Sequence, residues 1–515
     1  MDGAGQRAAR NTIGDAIARA ADRFRGRTAL RFEDRAWSYR EFDAVTSRIA
    51  AGLLASGLVR GERVVAFGQN SDHYLLFWIA CCKAGVIHVP ANYAFSPGEL
   101  GYITGQCGAR TILCDPSLRA TAEASGTAVV RCFTSLLTDV EAGPGDPSSV
   151  GEDVTDDDIA QILYTSGTTG APKGAMLTHR ALLSEYASCI VECEYSAEDR
   201  VLAALPLYHT AQMHAFVMPQ LLAGAEITLI ERPVPELCLD LIERRRLTSF
   251  FSPPTVWINL LRHPDFATRD LSSLLKAYYG AAIMPVPVLQ ELRARLPGLR
   301  PYNCYGQSEI APLATVLRPE EHDARPSSVG RPVLNVQTRV VDLAMQDVPP
   351  GQHGEIVHRS PQLMLGYWNM PAETAQAYEG GWFHSGDIGA FDAEGYLYVV
   401  DRMKDVINTG GVQVASREVE DALFTHPAVS EVAVIAIPDP RWIEAVAAVI
   451  VLRDGAATTE AELIDHTRDV LAPYKRPKRV FFAESLPKNT AGKLLKRELR
   501  ARYSGTASAV MGVQP

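Results

Sequence analysis

The chain has no two cysteines in CxxC spacing. Its nine cysteines are scattered through 515 residues, and the one adjacent pair, Cys81-Cys82, lies in an apolar run. That usage fits a reduced, cytoplasmic setting and argues against a disulfide framework and against a zinc site. No apolar run reaches the ~18 residues of a membrane span. Met1–Arg10 is polar and contains Asp2, unlike a signal peptide. Basic residues are not in excess: 50 Lys and Arg stand against 60 Asp and Glu, a net charge of -10, which excludes nucleic-acid binding by bulk electrostatics. No internal repeat is visible, and a fused carrier-protein module is not expected. A Walker A loop is missing too. It requires Gly, four residues and then Gly-Lys-Ser/Thr, but counting from Gly167 the chain offers Pro172-Lys173-Gly174.

What is present is an ordinary globular composition, 47% hydrophobic and 21% charged, at a length that predicts two or more domains. Helical spacing runs over Ile13–Phe24, and Ala29–Phe32 and Ala36–Tyr39 read as short strands. Ser38, with Glu41 three residues on, caps a helix to about Leu54. Arg63–Phe67 (strand), Asp72–Ala84 (helix), Val86–Val89 (strand), a helix start at Ser96 and Thr111–Cys114 (strand) follow. After the loop 141–158 the alternation resumes: helix Arg180–Cys189, strand Arg200–Leu205, strand Glu226–Ile230, helix Pro235–Arg246, strand Ser249–Ser252, helix Val256–Leu261, strand Lys276–Tyr279. Strands alternating with helices predict parallel sheets faced by helices. From Val329 the texture is β-like, at Val336–Val341, Glu355–His358 and Gly395–Val400. The fold class expected is α/β: a large N-terminal domain of βα-type sheets with a small β subdomain, residues 1–403, then a small, mobile α+β C-terminal domain, 404–503, and a disordered tail, 504–515.

The densest chemistry lies in Tyr164–Thr178. An apolar strand, Ile159–Leu163, leads into Thr165, Ser166, Gly167, Thr168, Thr169, Gly170 and Lys173. Glycines let backbone N–H groups approach a ligand, hydroxyls add donors, and Lys173 adds positive charge. A Gly/Ser/Thr-rich stretch is also what an exposed loop looks like. The lysine and the preceding strand favour a phosphate cradle.

This stretch resembles the phosphate loop of the adenylate-forming superfamily, which includes acyl- and aryl-CoA synthetases, amino-acid-activating domains and firefly-type luciferases. Further segments resemble that superfamily in order: Leu205–Thr210, Tyr305–Glu309, Gly366–Trp368, Trp382–Gly389, Asp401–Asp405, Thr409–Gly411 and Pro487–Lys493. The resemblance covers about Ser38 to Leu499. It implies an acyl-CoA synthetase that uses ATP, Mg²⁺ and coenzyme A, activating a carboxylic acid as its acyl-adenylate and passing the acyl group to a thiol.

The resemblance also implies roles. Residues 165–170 and Lys173 would clamp the β,γ-phosphates. Tyr305 would stack on adenine beside Gly280, Ala281 and Ala282. In Tyr305-Gly306-Gln307-Ser308-Glu309, Ser308 would reach a phosphate and Glu309 would ligate Mg²⁺, a hard oxygen for a hard ion. Serine stands there where the family has threonine, which keeps the hydroxyl. Asp387 would take the ribose diol, with Arg402 as second contact. Lys493 would bridge the acyl carboxylate and the α-phosphate, and Ala491 stands where Ser or Thr is usual before its glycine. Lys404 would be the hinge, Gly410 and Gly411 would line the CoA channel, and His209 would gate ATP from acid. Gln413 replaces a common Asn, and Ile443 replaces a common Gly after the tryptophan; both bear on the thioester half-reaction.

The acid is expected to be hydrophobic. Amino-acid-activating domains carry an aspartate for the substrate ammonium, and Ala211–Phe216 has no acidic residue. Tyr208, His209, Met213, Tyr279, Ala282 and Ile310, with Phe216 and Ala281 nearby, suggest an apolar pocket, although any core looks similar. The basic cluster Lys475–Arg479 could meet the phosphates of CoA or be a solvated face. Alternatives are an acyl-AMP ligase loading a free carrier protein, a luciferase-like oxygenase and a catalytically silent acyl- or nucleotide-binding protein. The expected form is a cytoplasmic monomer or homodimer without nucleic-acid partners.

Overall fold

A computed structural model describes residues 9–136, 150–165, 171–282, 284–410, 412–439, 442–489 and 494–504. Local signals set many of the element boundaries. Ser38 and Glu41 form the expected capping box, so the strand Arg35–Ser38 stops at the cap and Tyr39 already belongs to the helix Tyr39–Ala55. Ser96 with Glu99 starts the helix Pro97–Cys107 in the same way, and Thr12 with Asp15 starts Ile13–Phe24. The helix Asp72–Ala84 is apolar on nearly every face; all of its residues except His73 are buried, as expected of a helix enclosed on all sides. It ends at Gly85, whose φ of 69° is left-handed.

Among the described residues the strands form four sheets. One has nine strands, of which Thr28–Phe32, Glu226–Leu229, Arg200–Ala203, Ser249–Phe251, Lys276–Gly280 and Arg300–Gly306 run parallel in that spatial order. Antiparallel strands close both edges, Arg35–Ser38 on one side and Leu313–Leu317 with Arg331–Pro332 on the other. A six-stranded sheet is parallel except for its last strand, Lys173–Thr178, which folds back antiparallel on Ile159–Thr165. The parallel sheets expected from the alternation are present, and antiparallel returns, short enough to need no crossover helix, extend them at these edges. A four-stranded antiparallel sheet holds Gln337–Val341, Gly354–Arg359, Phe383–Phe391 and Leu397–Arg402. The fourth sheet has five strands, from Ile407–Thr409 to Arg479–Phe482. Sheet membership thus changes across the short turn Met403–Asp405. Beyond that turn, Ser416 donates N–H and Oγ–H to Asp401 at 2.6 and 2.7 Å, so a carboxylate on one side fixes the first turn of the helix Ser416–Phe424 on the other.

All nine cysteines are free. No helix among the described residues is long and apolar enough to cross a membrane.

Candidate active site

The hairpin brings together the two ends of the stretch expected to cradle phosphate. Thr165 and Lys173 are register partners where it opens, and Tyr164 faces Gly174. Lys173 is therefore the first residue of a strand rather than a loop residue. Ser166, Gly167, Thr168, Thr169 and Gly170 lie outside the described residues. A segment not singled out by chemistry, Leu365–Trp368, runs along the outside of Lys173–Thr178. Trp368 N–H donates to Gly174 at 2.7 Å, Met176 N–H to Gly366 at 3.0 Å and Leu365 N–H to Met176 at 2.9 Å. This seats the Tyr367 ring 5.2 Å from the Lys173 ammonium.

Glu309 stands in the turn Ser308–Ile310 that follows the strand Arg300–Gly306. Its Oε1 accepts from Thr165 Oγ1 and from the Tyr367 hydroxyl, each at 3.1 Å. Burial, reinforced by the neighbouring carboxylate, pushes the Tyr367 phenol well above its ordinary pKa, so it remains a donor. Beside Glu309, Ser308 Oγ and Thr210 Oγ1 are 2.7 Å apart, which ties this turn to the Leu205–Thr210 segment. Among the described residues no cluster of three His, Cys, Asp or Glu could cage a metal. One carboxylate and a hydroxyl instead fit Mg²⁺, which is commonly held by one or two carboxylates together with substrate phosphates.

The segments expected beside adenine are built from close backbone approaches. A Cβ on Gly280 would lie 2.2 Å from the Cys304 carbonyl oxygen, and one on Gly306 would lie 1.9 Å from that of Pro312; neither position has room for a side chain. Ala281 continues the turn at φ 62°, and Ala281 and Ala282 are exposed. Tyr305, half-buried, donates its hydroxyl to Asp387 Oδ2 at 2.8 Å. Burial, and then Asp387, raise its pKa far above the phenol range. Asp387 and Arg402 are Cα partners in adjacent antiparallel strands, with Arg402 Nε 3.7 Å from Asp387 Oδ1. Two residues expected at one ribose are thus paired by strand register.

His209 is half-buried, with its ring 5.7 Å from that of Tyr208. A helical stretch with π-type bonding, Ala211–Val217, starts just after it. His214 is fully buried and both of its ring nitrogens are bonded, Nδ1 to the Tyr186 hydroxyl at 2.7 Å and Nε2 to Gln161 Oε1 at 3.0 Å. It is a satisfied core histidine. Of the residues expected to line an acyl pocket, Met213, Tyr279 and Ile310 have no exposed surface and belong to three separate core clusters. Tyr279 spends its hydroxyl on His322 Nε2 at 3.0 Å.

Lys404 lies in the Met403–Asp405 turn, where desolvation and then the Arg402 guanidinium pull its ammonium below the ordinary lysine value. Gly410 N–H donates to the Trp442 carbonyl at 2.7 Å. Next to it, Ile443 holds φ 68° and is 70% exposed. A β-branched residue is a conformational outlier in that region, and this is the position where the resemblance has glycine. Gly411 and Lys493 lie outside the described residues.

A family model for AMP-binding enzymes matches residues 17–368, and one for the AMP-binding enzyme C-terminal domain matches 418–493. The chain belongs to the AMP-binding enzyme family. A feruloyl-CoA synthase from Amycolatopsis is 37% identical to it over 92% of this chain and 96% of its own length. An indoleacetate–CoA ligase from Aromatoleum aromaticum is 33% identical over 92% and 95%. Among solved structures, ATP-bound MatB from Rhodopseudomonas palustris superposes with a TM-score of 0.88 at 31% identity, covering 96% of this enzyme and 99% of that chain. The α/β architecture with a small C-terminal domain is the fold of these adenylate-forming enzymes.

Proposed function

We propose that the enzyme is an acid–CoA ligase that joins a hydrophobic carboxylic acid to coenzyme A through an acyl-adenylate. The observation that carries this reading is the convergence of Thr165, Tyr367 and Glu309 at the mouth of the hairpin, with Tyr305, Asp387 and Arg402 joined on the adjacent sheets. The names of the relatives, feruloyl-CoA synthase and indoleacetate–CoA ligase, support CoA as acceptor and place ferulate and indoleacetate first in a panel of acids.

The chemistry follows from the charges. A carboxylate is a poor electrophile, and it must meet a polyanion. Its oxygen attacks the α-phosphorus of ATP, the bond to the β-phosphate oxygen breaks, and pyrophosphate leaves. A thiol then attacks the acyl carbonyl, loses its proton, and AMP departs with the C–O bonding pair. Lys173 offsets phosphate charge at the hairpin mouth, and Glu309 would hold Mg²⁺, which would supply positive charge to the phosphates. Asp387 accepts from the ribose hydroxyls while Tyr305 steadies the carboxylate. His209 separates the nucleotide from the acid, which enters beside Tyr208 and Ala282. Lys493, carried by the second domain, residues 404–503, meets charge that develops only as the new P–O bond forms. Rotation about Lys404 then brings Gly410 and Gly411 to the site for the thiol.

The test is pyrophosphate release and acyl-CoA formation over the acid panel with ATP, Mg²⁺ and CoA. Lys493→Ala abolishes pyrophosphate release and leaves thioester formation from preformed acyl-adenylate. Unchanged pyrophosphate release removes the role given to the lysine. Adenylate without acyl-CoA, for every acid activated, removes CoA as acceptor and leaves a free carrier protein.

A further inference from the structure

Glu185 is a carboxylate with no exposed surface, and the chemistry above does not use it. It stands on the helix His179–Glu192, which grows directly out of the strand Lys173–Thr178, with Thr178 as N-cap. Its Oε1 accepts from the Leu313 N–H at 3.1 Å and from the Cys189 thiol at 3.2 Å. Its Oε2 accepts from Gln362 Nε2 at 2.6 Å. Gln362, also fully buried, donates as well to the carbonyls of Leu313 at 3.0 Å and Ile310 at 3.4 Å, and its Oε1 accepts from Ser188 Oγ at 2.7 Å. Two residues further on, Met364 N–H donates to the Glu309 carbonyl at 2.9 Å.

The backbone from Glu309 to Leu313 is therefore gripped from behind at both ends. The grip is directional. If Gln362 rotates its amide, its oxygen faces the carbonyls of Ile310 and Leu313. If Glu185 becomes an amide, its NH₂ faces either the Leu313 N–H or the Gln362 NH₂. No rearrangement satisfies every group, and an unmade buried hydrogen bond is costly. A carboxylate buried this fully is disfavoured by desolvation, which pushes its pKa well up, so hydrophobic packing does not account for it.

We propose that Glu185, acting through Gln362 and the Leu313 N–H, is a positioning residue that fixes where the Glu309 carboxylate is presented to the metal. The inference rests on the reading of Glu309 as the Mg²⁺ ligand. The test uses the full chain with Mn²⁺ as a paramagnetic probe, titrated in the presence of a non-hydrolysable ATP analogue and read by electron paramagnetic resonance. AMP affinity without metal and thermal unfolding are measured alongside. In Glu185→Gln the half-saturating Mn²⁺ rises about ten-fold, the scale on which groups supporting a metal ligand act, while AMP affinity is unchanged. A purely structural role would lower the unfolding temperature and leave the Mn²⁺ titration superimposed on that of the parent, and that result overturns the proposal. Glu309→Gln is run in parallel: a shift in that variant alone removes the role of Glu185, whereas no shift in either removes the metal reading and the inference with it. Should Glu185→Gln fail to fold, Ser188→Ala, which frees one end of Gln362, carries the test with an expected shift of about five-fold, one neutral hydrogen bond's worth, and a flat titration there is equally decisive.

Discussion

Replacing Asp387 with asparagine tests the ribose assignment at one atom. In the structure one carboxylate oxygen already accepts from Tyr305 at 2.8 Å, and the other faces Arg402 at 3.7 Å. A carboxylate has about four acceptor sites, more than the two that a vicinal diol's donors use. Asparagine keeps one oxygen, loses the charge, and turns an NH₂ group toward either the diol or the Tyr305 hydroxyl. Hydrogen bonds to a charged group contribute about 1.5–3 kcal/mol each, so the loss is about 2–3 kcal/mol, or roughly 30- to 150-fold in Kd for AMP. The specific readout is calorimetric binding of AMP against 2′,3′-dideoxy-AMP. The parent enzyme favours AMP, and Asp387→Asn binds the two alike. Tyr305→Phe removes the hydroxyl that steadies the carboxylate, worth about 1 kcal/mol or roughly five-fold, and the double variant falls short of the sum because the two groups touch. If Asp387→Asn still prefers AMP by the parent ratio, the diol is held elsewhere and the assignment fails.

Two further expectations concern stability. Burial holds the imidazoles of His88 and His214 neutral, with pKa values pushed down to about 3; unfolded histidine titrates at about 6.5. Between those values the unfolded chain takes up protons that the native protein does not, so stability falls as pH drops, by up to ~1.4 kcal/mol per pH unit for each histidine. His88→Asn makes the urea midpoint less steep in pH between about 6 and 4 by one histidine's share, and parallel curves for variant and parent would refute this. Ile443→Gly relieves a left-handed β-branched residue and exchanges little buried surface, so it stabilises by about 1 kcal/mol in urea unfolding; a loss of stability would show that the side chain packs in a way its 70% exposure does not suggest.

Much of the fold was legible where a local rule dominates. Arg63–Phe67, Asp72–Ala84 and Thr111–Cys114 fall where apolar runs and caps put them. Elements whose composition serves the site were harder to read. The strand Arg300–Gly306 begins on an arginine and a proline and ends on a glycine, and Phe383–Phe391 carries His384-Ser385-Gly386-Asp387 in its middle. Neither shows the apolar alternation of a strand, because polar residues and glycine occupy positions along it. The motif residues Thr165, Lys173, Tyr305, Glu309, Asp387 and Arg402 could be named from their order along the chain, yet their mutual contacts depend on hairpin and strand register. Tyr367 lies in Gly366–Trp368, a segment marked by the resemblance but given no role. Glu185 lies in the helix expected over Arg180–Cys189, and nothing in the sequence shows that it is walled in by Gln362 and the Leu313 backbone.

The nine-stranded sheet also sets a schedule for synthesis. Thr28–Phe32 is among the first strands to leave the ribosome, but its parallel neighbour, Glu226–Leu229, is translated about 200 residues later, a wait of roughly 10–40 s at ~5–20 residues per second. Until then Ala29, Leu30 and Phe32, buried in the finished protein, have one hairpin partner and an open edge able to pair with any other nascent strand. Slowing translation across 40–225 therefore lengthens the period in which this chain needs a chaperone, and a silent change of codons there alters the yield of folded enzyme while leaving every residue of the site in place.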